Sequence, residues 1–237
     1  MKKIFNLSKK YGFKIIEDAS HAVGAKYREK FVGSCEFSDI CVFSFHPVKI
    51  ITTMEGGMAL TNNSEWAEKM RMLRSHGITN DPEKMTEDSH GPWYYQQITL
   101  GFNYRMTDVE AALGLSQLSK LETFLEKRNV LANYYDKLFS DYSGITPLQQ
   151  NSKIYSSYHL YVVRIDSLTN QQHATLVANL RESGVFAHVH YIPIHMQPFY
   201  ISLGFKIGDF PNAEKYYQQA VTLPLFPDLK EDEVEHI

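Results

Sequence analysis

Apolar positions in the first quarter of the chain come in short runs broken by turns, the pattern of buried strands. Such runs fall at residues 13–16, 25–27, 31–32, 39–45 and 57–61, with a polar turn at 28–30 between the second and third. Ahead of them Phe5, Leu7 and Tyr11 share one helix face, and Gly12 is its expected stop. The spacing then changes to a helical period. Trp66, Met70 and Leu73 predict a helix over 64–76, stopped at Gly77. Residues 78–102 read as a long aromatic-rich loop with Pro82, Gly91 and Pro92, of the kind that usually serves a function.

Thr107, Asp108, Val109 and Glu110 form a capping-box signature. It predicts one amphipathic helix running to about residue 140, with Gly114 marking close packing or a bend. Beyond Gly144 the pattern restarts as a β-α-β-α series: a strand at 157–165, a helix at 171–183, a strand at 185–191, a Pro-rich loop and a helix at 211–220. The expected organisation is therefore two domains, residues 1–140 with the linking helix and residues 141–237 as a small α+β domain. A helix end with no strand before it, and a helix start at 229–237, read as truncation at both ends.

Composition narrows the classes. In 237 residues, 24 Lys and Arg stand against 27 Asp and Glu, a net charge of −3 that leaves no basic surplus for nucleic acid. No apolar run reaches the roughly 18 residues of a membrane-spanning helix, and the basic N-terminus lacks the apolar core of a signal peptide. Two cysteines, Cys35 and Cys41, are too few for a disulfide framework, so the expected setting is the cytoplasm.

Three groups of residues suggest chemistry. Asp18 and His21 follow the first strand, where ligands of open α/β sheets bind, although a polar strand end would look the same. Ser44, His46 and Lys49 close the 39–45 strand and lead to the pair Gly56-Gly57. A desolvated lysine there can lose its proton and form a Schiff base with a carbonyl, while spacing alone favours a solvated surface lysine. His188, His190 and His195 lie in AHVHYIPIH. With no carboxylate or thiolate beside them, they read as cleft-lining residues and no metal is expected.

The ordered segments EDASHAVGA, SFHPVKIITTMEGG, LRSHGI, LGFNYRMTDVEAALGLSQLSKL, YHLYVVRI, HYIPIHMQPFY and FPNAEKYYQQAVTLPLFP resemble the DegT/DnrJ-type nucleotide-sugar aminotransferases, and within them the pseudaminic acid branch. The resemblance covers residues 13–227. It implies an α/β fold: part of the pyridoxal phosphate fold type I, a mixed, mostly parallel sheet flanked by helices, plus the small C-terminal α+β domain. It implies the cofactor pyridoxal 5'-phosphate and transamination of a UDP-linked 4-keto-6-deoxy sugar, with glutamate as amino donor. Lys49 matches the Schiff-base lysine, which also moves the substrate proton, and Asp18 the carboxylate that pairs with the pyridine nitrogen. His21 stands beside the ring where many members carry Gln; Ser44 matches a phosphate-binding hydroxyl. Asn103 matches a residue that reaches the cofactor phosphate of the neighbouring subunit, which implies a homodimer with shared active sites. His190 and His195 fall in the substrate-side loop. Related dehydratases carry His in place of the lysine, so Lys49 favours transamination.

The sequence departs from the family pattern in two respects: the Gly-Thr or Gly-Ser phosphate turn and the ring-stacking aromatic residue have no match here, and the family's final helix is expected to be incomplete. The alternative expectation is a truncated or split fragment, inactive alone, that acts with a separate N-terminal piece or as a degenerate binding protein.

Overall fold

The computed structural model describes residues 1–237, which form two compact units, Met1–Leu121 and Glu122–Ile237. In the first unit, α1 (Lys2–Tyr11) ends at Gly12, whose left-handed conformation (φ 77°) lets its N–H reach Ser8 O at 2.8 Å. The sheet consists of β1 (Ile16–Asp18), with the hairpin β2 (Lys26–Tyr27) and β3 (Lys30–Phe31) outside it, then β4 (Ile40–Ser44) and β5 (Gly57–Leu60). Its order is β1-β4-β5; β1 runs parallel to β4, and β5 antiparallel to it. Of the two pairings one is parallel, so the sheet is mixed. In β4 the side chains of Cys41 and Phe43 alternate into the core, as a half-covered strand requires.

Helix α2 (Ser64–Arg74) starts at Asn63, whose side chain accepts from Trp66 N at 2.9 Å. The 78–102 segment is less loop-like than expected. Its ends pair as β6 (Ile78–Thr79) and β7 (Gln96–Gln97), and its neck is closed by backbone. Phe102 N donates to Leu73 O at 2.7 Å, His76 N to Phe102 O at 2.8 Å and Ile98 N to Gly77 O at 2.9 Å. A Cβ on Gly77 would stand 1.9 Å from Thr99 O, so only glycine admits this approach.

The capping box at Thr107 forms, with Glu110 N bonded to Thr107 Oγ1 and Thr107 N to the Glu110 carboxylate. The helix it opens, α3 (Asp108–Leu118), is shorter than expected. A break at Ser119 and Lys120 separates it from α4 (Leu121–Phe139). There the hydroxyl of Ser119 turns back onto Ser116 O at 2.8 Å and Lys120 N bonds Gln117 O, a tightened turn that ends the α-helical ladder. The two units accordingly divide at 121/122, whereas the expected boundary was 140/141. Helix α4 gives Leu131, Ala132 and Tyr135 to the core of the second unit.

That second unit continues with β8 (Ile145–Pro147), β9 (Ile154–Tyr155), β10 (Tyr161–Ile165), α5 (Asn170–Glu182), a 3-10 turn (Ile194–Met196), α6 (Pro198–Ser202), α7 (Pro211–Gln219), β11 (Ala220–Leu223) and α8 (Glu231–His236). Its antiparallel sheet has the order β11-β10-β8. Tyr161 and Val163 meet Val221 and Leu223 over the α4 side chains. The strand expected at 185–191 is reduced to one bridge, His188 to Thr222. The Val189 N–H donates to the imidazole Nδ1 of His188 at 2.8 Å instead of to a neighbouring strand. Strand β11 occupies the residues just after the helix that was expected to end at 220.

Candidate functional site

Asp18 is the last residue of β1 and Ser44 the last of β4, so the parallel pair delivers both to the same, carboxyl-terminal edge of the sheet. Ala19 N donates to Val42 O at 2.9 Å and carries the ladder one residue past Asp18. Immediately beyond, the backbone turns, and Ser20 donates to Asp18 Oδ1 through both its N–H (3.0 Å) and its hydroxyl (2.5 Å). The sequence reading did not single out Ser20, although the Asp-x-Ser spacing is that of an Asx turn.

Lys49 sits on the loop joining β4 to β5. The loop is closed at its base by Phe45 N bonded to Gly56 O at 2.9 Å and Thr53 N bonded to Phe45 O at 3.0 Å. Ile50 and Ile51, both buried, anchor it beside the lysine, whose own N–H donates to His46 O at 2.9 Å. Thr52 Oγ1 donates to Phe45 O and accepts from Met54 N, both at 2.9 Å. These bonds fix the backbone on both sides of Lys49.

The electrostatics tie Asp18, His21 and Lys49 into one cluster. Ser20's hydroxyl and N–H hold the Asp18 carboxyl below its ordinary value, with further help from the charges of His21 and Lys49 against a cost of burial. Burial pushes the Lys49 ammonium below its ordinary value, opposed by Asp18. His21 is lowered by burial and then by the Lys49 charge. The result is an ionised carboxylate near an amine that gives up its proton more readily than a surface lysine. Such an amine is a nucleophile for carbonyl carbon. Ser44 Oγ accepts from His46 N at 3.4 Å at the rim of this group.

Asn103 belongs to the same unit but to another local structure. Its backbone bridges Ser75 at the end of α2, and its Oδ1 accepts from Arg105 at 3.4 Å. His190 and His195 lie in the second unit. His190 stacks on His188 with centroids 4.5 Å apart and bonds Thr222 Oγ1 through Nδ1 at 2.8 Å. His195 is 7% exposed, with Nε2 on Glu214 Oε1 at 2.8 Å and its ring against Phe210, so its place is in holding the loop to α7. No group of three or more His, Cys, Asp or Glu is placed to hold a metal ion. No helix is long and apolar enough to cross a membrane.

The sequence profile of the DegT/DnrJ/EryC1/StrS aminotransferases matches residues 1–237. A UDP-4-amino-4,6-dideoxy-N-acetyl-beta-L-altrosamine transaminase of Campylobacter jejuni is 39% identical over 229 residues, 97% of this chain and 58% of that protein. Among solved structures, Helicobacter pylori PseC, an aminotransferase involved in the biosynthesis of pseudoaminic acid, matches with a TM-score of 0.89 and 35% identity over 99% of this chain and 60% of its own. A Streptococcus pneumoniae protein provisionally assigned as a sugar aminotransferase, in its PLP form, matches with a TM-score of 0.86 and 30% identity over 100% of this chain and 60% of its own. The chain spans about 60% of the length of the curated relatives it matches.

Proposed function

The chain belongs to the DegT/DnrJ/EryC1/StrS aminotransferase family, and from that premise we propose that it carries the cofactor-anchoring lysine and ring-facing carboxylate of a pyridoxal 5'-phosphate-dependent nucleotide-sugar aminotransferase. The observation that carries the proposal is geometric: the parallel pair β1 and β4 ends on Asp18 and Ser44 at one edge of the sheet, and the backbone-pinned loop that follows Ser44 carries Lys49. The donor set suits the cofactor: an amine with a lowered proton affinity, an ionised carboxylate and a hydroxyl at adjacent strand ends. When bound, pyridoxal phosphate supplies an electron sink for the pair left by removal of a substrate proton.

Each residue then has a distinct task. Lys49 would anchor the cofactor through its amine and, once freed, would carry the proton from the substrate carbon. Asp18, whose carboxylate accepts from Ser20, would hold a proton on the pyridine nitrogen. Ser44 would donate to the phosphate, and His21 would lie beside the ring. Asn103 would reach the phosphate in the partner subunit of a homodimer. His190 is the proposed substrate contact in the second unit, with His195 shaping its loop through Glu214. Residues 1–121 form part of the large cofactor-binding domain and residues 122–237 the small domain. The name of the Campylobacter relative, a transaminase of a UDP-linked 4-amino-4,6-dideoxy sugar, supports a UDP-linked 4-keto-6-deoxy sugar as the proposed amino acceptor; glutamate is the proposed donor. Both cysteines are free thiols, in keeping with a reducing cytoplasm.

The proposal concerns the complete polypeptide. Borohydride reduction of that protein loaded with pyridoxal phosphate, followed by peptide mapping, is expected to place the label on Lys49. A label on any other lysine overturns it.

A further inference from the structure

The Lys49 loop is braced from outside by α3, and the brace has two points. Thr53, 3% exposed, lies under Gly114; a Cβ on residue 114 would stand 2.7 Å from the Thr53 γ-methyl. A Cβ on Gly56 would stand 2.4 Å from Thr53 Oγ1 and 2.8 Å from the Met106 terminal methyl, just ahead of α3. Thr53 is itself tied into the loop, with Oγ1 donating to Glu55 O at 2.6 Å and its N–H bonded to Phe45 O. The side chain thus joins the closing end of the lysine loop to the middle of a helix more than fifty residues later in the chain.

We infer that Thr53 and Gly114 form a matched methyl-and-hollow pair that positions the Lys49 amine, and that neither touches substrate or cofactor. The inference rests on the reading of Lys49 as the cofactor's anchor. The physical reason lies in close packing. An interior with no spare volume transmits a displaced methyl to its neighbours instead of absorbing it. Three residues of loop separate Thr53 from Lys49, and two of these are the buried Ile50 and Ile51. A push at Thr53 therefore moves a segment that cannot slide past its own anchors. The hollow is specific to glycine by volume, since Gly114 lies inside a helix where alanine would otherwise be preferred.

The test moves the methyl from one partner to the other. Gly114→Ala places a methyl against Thr53, Thr53→Ser removes the γ-methyl but keeps the hydroxyl, and the double variant does both. Each is made in the complete polypeptide. Three quantities are read: the rate at which pyridoxal phosphate and borohydride label Lys49, the pH midpoint of that rate, and Tm. In the wild type the midpoint is expected below the ordinary lysine value of 10.5. Gly114→Ala is expected to slow labelling about tenfold, and Thr53→Ser about threefold, as small misplacements of a reacting group do. The double variant is expected to recover to within about threefold of wild type, a non-additivity that distant, independent sites do not show. The midpoint should shift in Gly114→Ala and return in the double variant, which a purely structural defect would not produce.

Labelling by Gly114→Ala at the wild-type rate and midpoint overturns the inference. So does a double variant as slow as Gly114→Ala. If Gly114→Ala does not fold, Thr53→Ser decides alone: slowed labelling supports the pair, and unchanged labelling overturns it. A wild-type label on a different lysine overturns the functional reading and this inference with it, while leaving the Tm coupling of residues 53 and 114 intact. The two failures are thereby distinguished.

Discussion

Glu214 Oε1 accepts from His195 Nε2 at 2.8 Å and from Gly208 N at 2.7 Å, so a single carboxylate joins the 3-10 turn, the 204–210 loop and α7. These bonds, His195's first, hold the Glu214 carboxyl below its ordinary value of 4.5. A depressed carboxylate contributes stability that is fully present above the unfolded value and lost as pH falls through the folded one. The Tm difference between wild type and Glu214→Gln should therefore be largest near neutrality and narrow as pH drops below 4.5. A difference that stays constant through that window would show that the carboxylate charge is not what secures the loop.

Asp18 is expected to act through its charge. Its pKa lies below the ordinary 3.8, so it stays ionised over a working range of about pH 6–9. Asp18→Asn keeps the shape but cannot hold a proton on a ring nitrogen. In the complete polypeptide it should keep some cofactor binding and lose turnover by on the order of a thousandfold, the scale of removing a key electrostatic group. Near-normal turnover would reduce Asp18 to a turn-capping residue.

The shared-site dimer has its own test. Lys49→Ala and Asn103→Ala are each expected to be inactive as homodimers. In a mixed dimer one site lacks both groups and the other is intact. Random reassortment into two-fold dimers should restore up to about a quarter of wild-type activity. No recovery despite proven subunit exchange would place Asn103 in the service of its own chain.

Arg128 carries a structural prediction. It is 6% exposed on α4, and its guanidinium donates to Tyr158 O at 3.0 Å and Leu225 O at 2.9 Å, with burial pulling its pKa down to about 10. It is thus held by carbonyl oxygens inside the second unit. Arg128→Ala leaves these acceptors unmatched and opens a void, which should cost about 3 kcal/mol or more. Urea denaturation of the variant reads the loss directly, and a change under 1 kcal/mol (roughly the effect of an exposed substitution) would contradict the burial argument.

The features legible in the sequence were those set by near neighbours. The Gly12 stop, the Thr107 capping box and the strand before Lys49 depend on residues a few positions apart, and all three form. Long-range features were harder to read. Glu214 lies 19 residues from His195 across an aperiodic segment, so no spacing links them. The break at Ser119 hides inside an unbroken helical period, because the hydroxyl back-bond that favours it leaves no mark on the apolar pattern. Strand β11 was missed because its residues follow α7 with no turn residue between them. Gly114 was legible as close packing, but its partner Thr53 was not.

The closed neck of the 78–102 segment separates two kinds of change. Because backbone bonds at Gly77, Thr99 and Phe102, joined by the Gln97 side chain on His76 O, lock its base, what lies beyond the neck adds an excursion without altering the span that the excursion must bridge. Lengthening such a loop costs little, about 0.6 kcal/mol per doubling. Replacing residues 82–92 by a short Gly-Ser bridge should accordingly leave Lys49 labelling at the wild-type rate, and a slowed rate would show that the neck does not insulate it. Residues on that excursion can thus change in length and composition while the bridge that seats Asn103 against Ser75 at the end of α2 is kept.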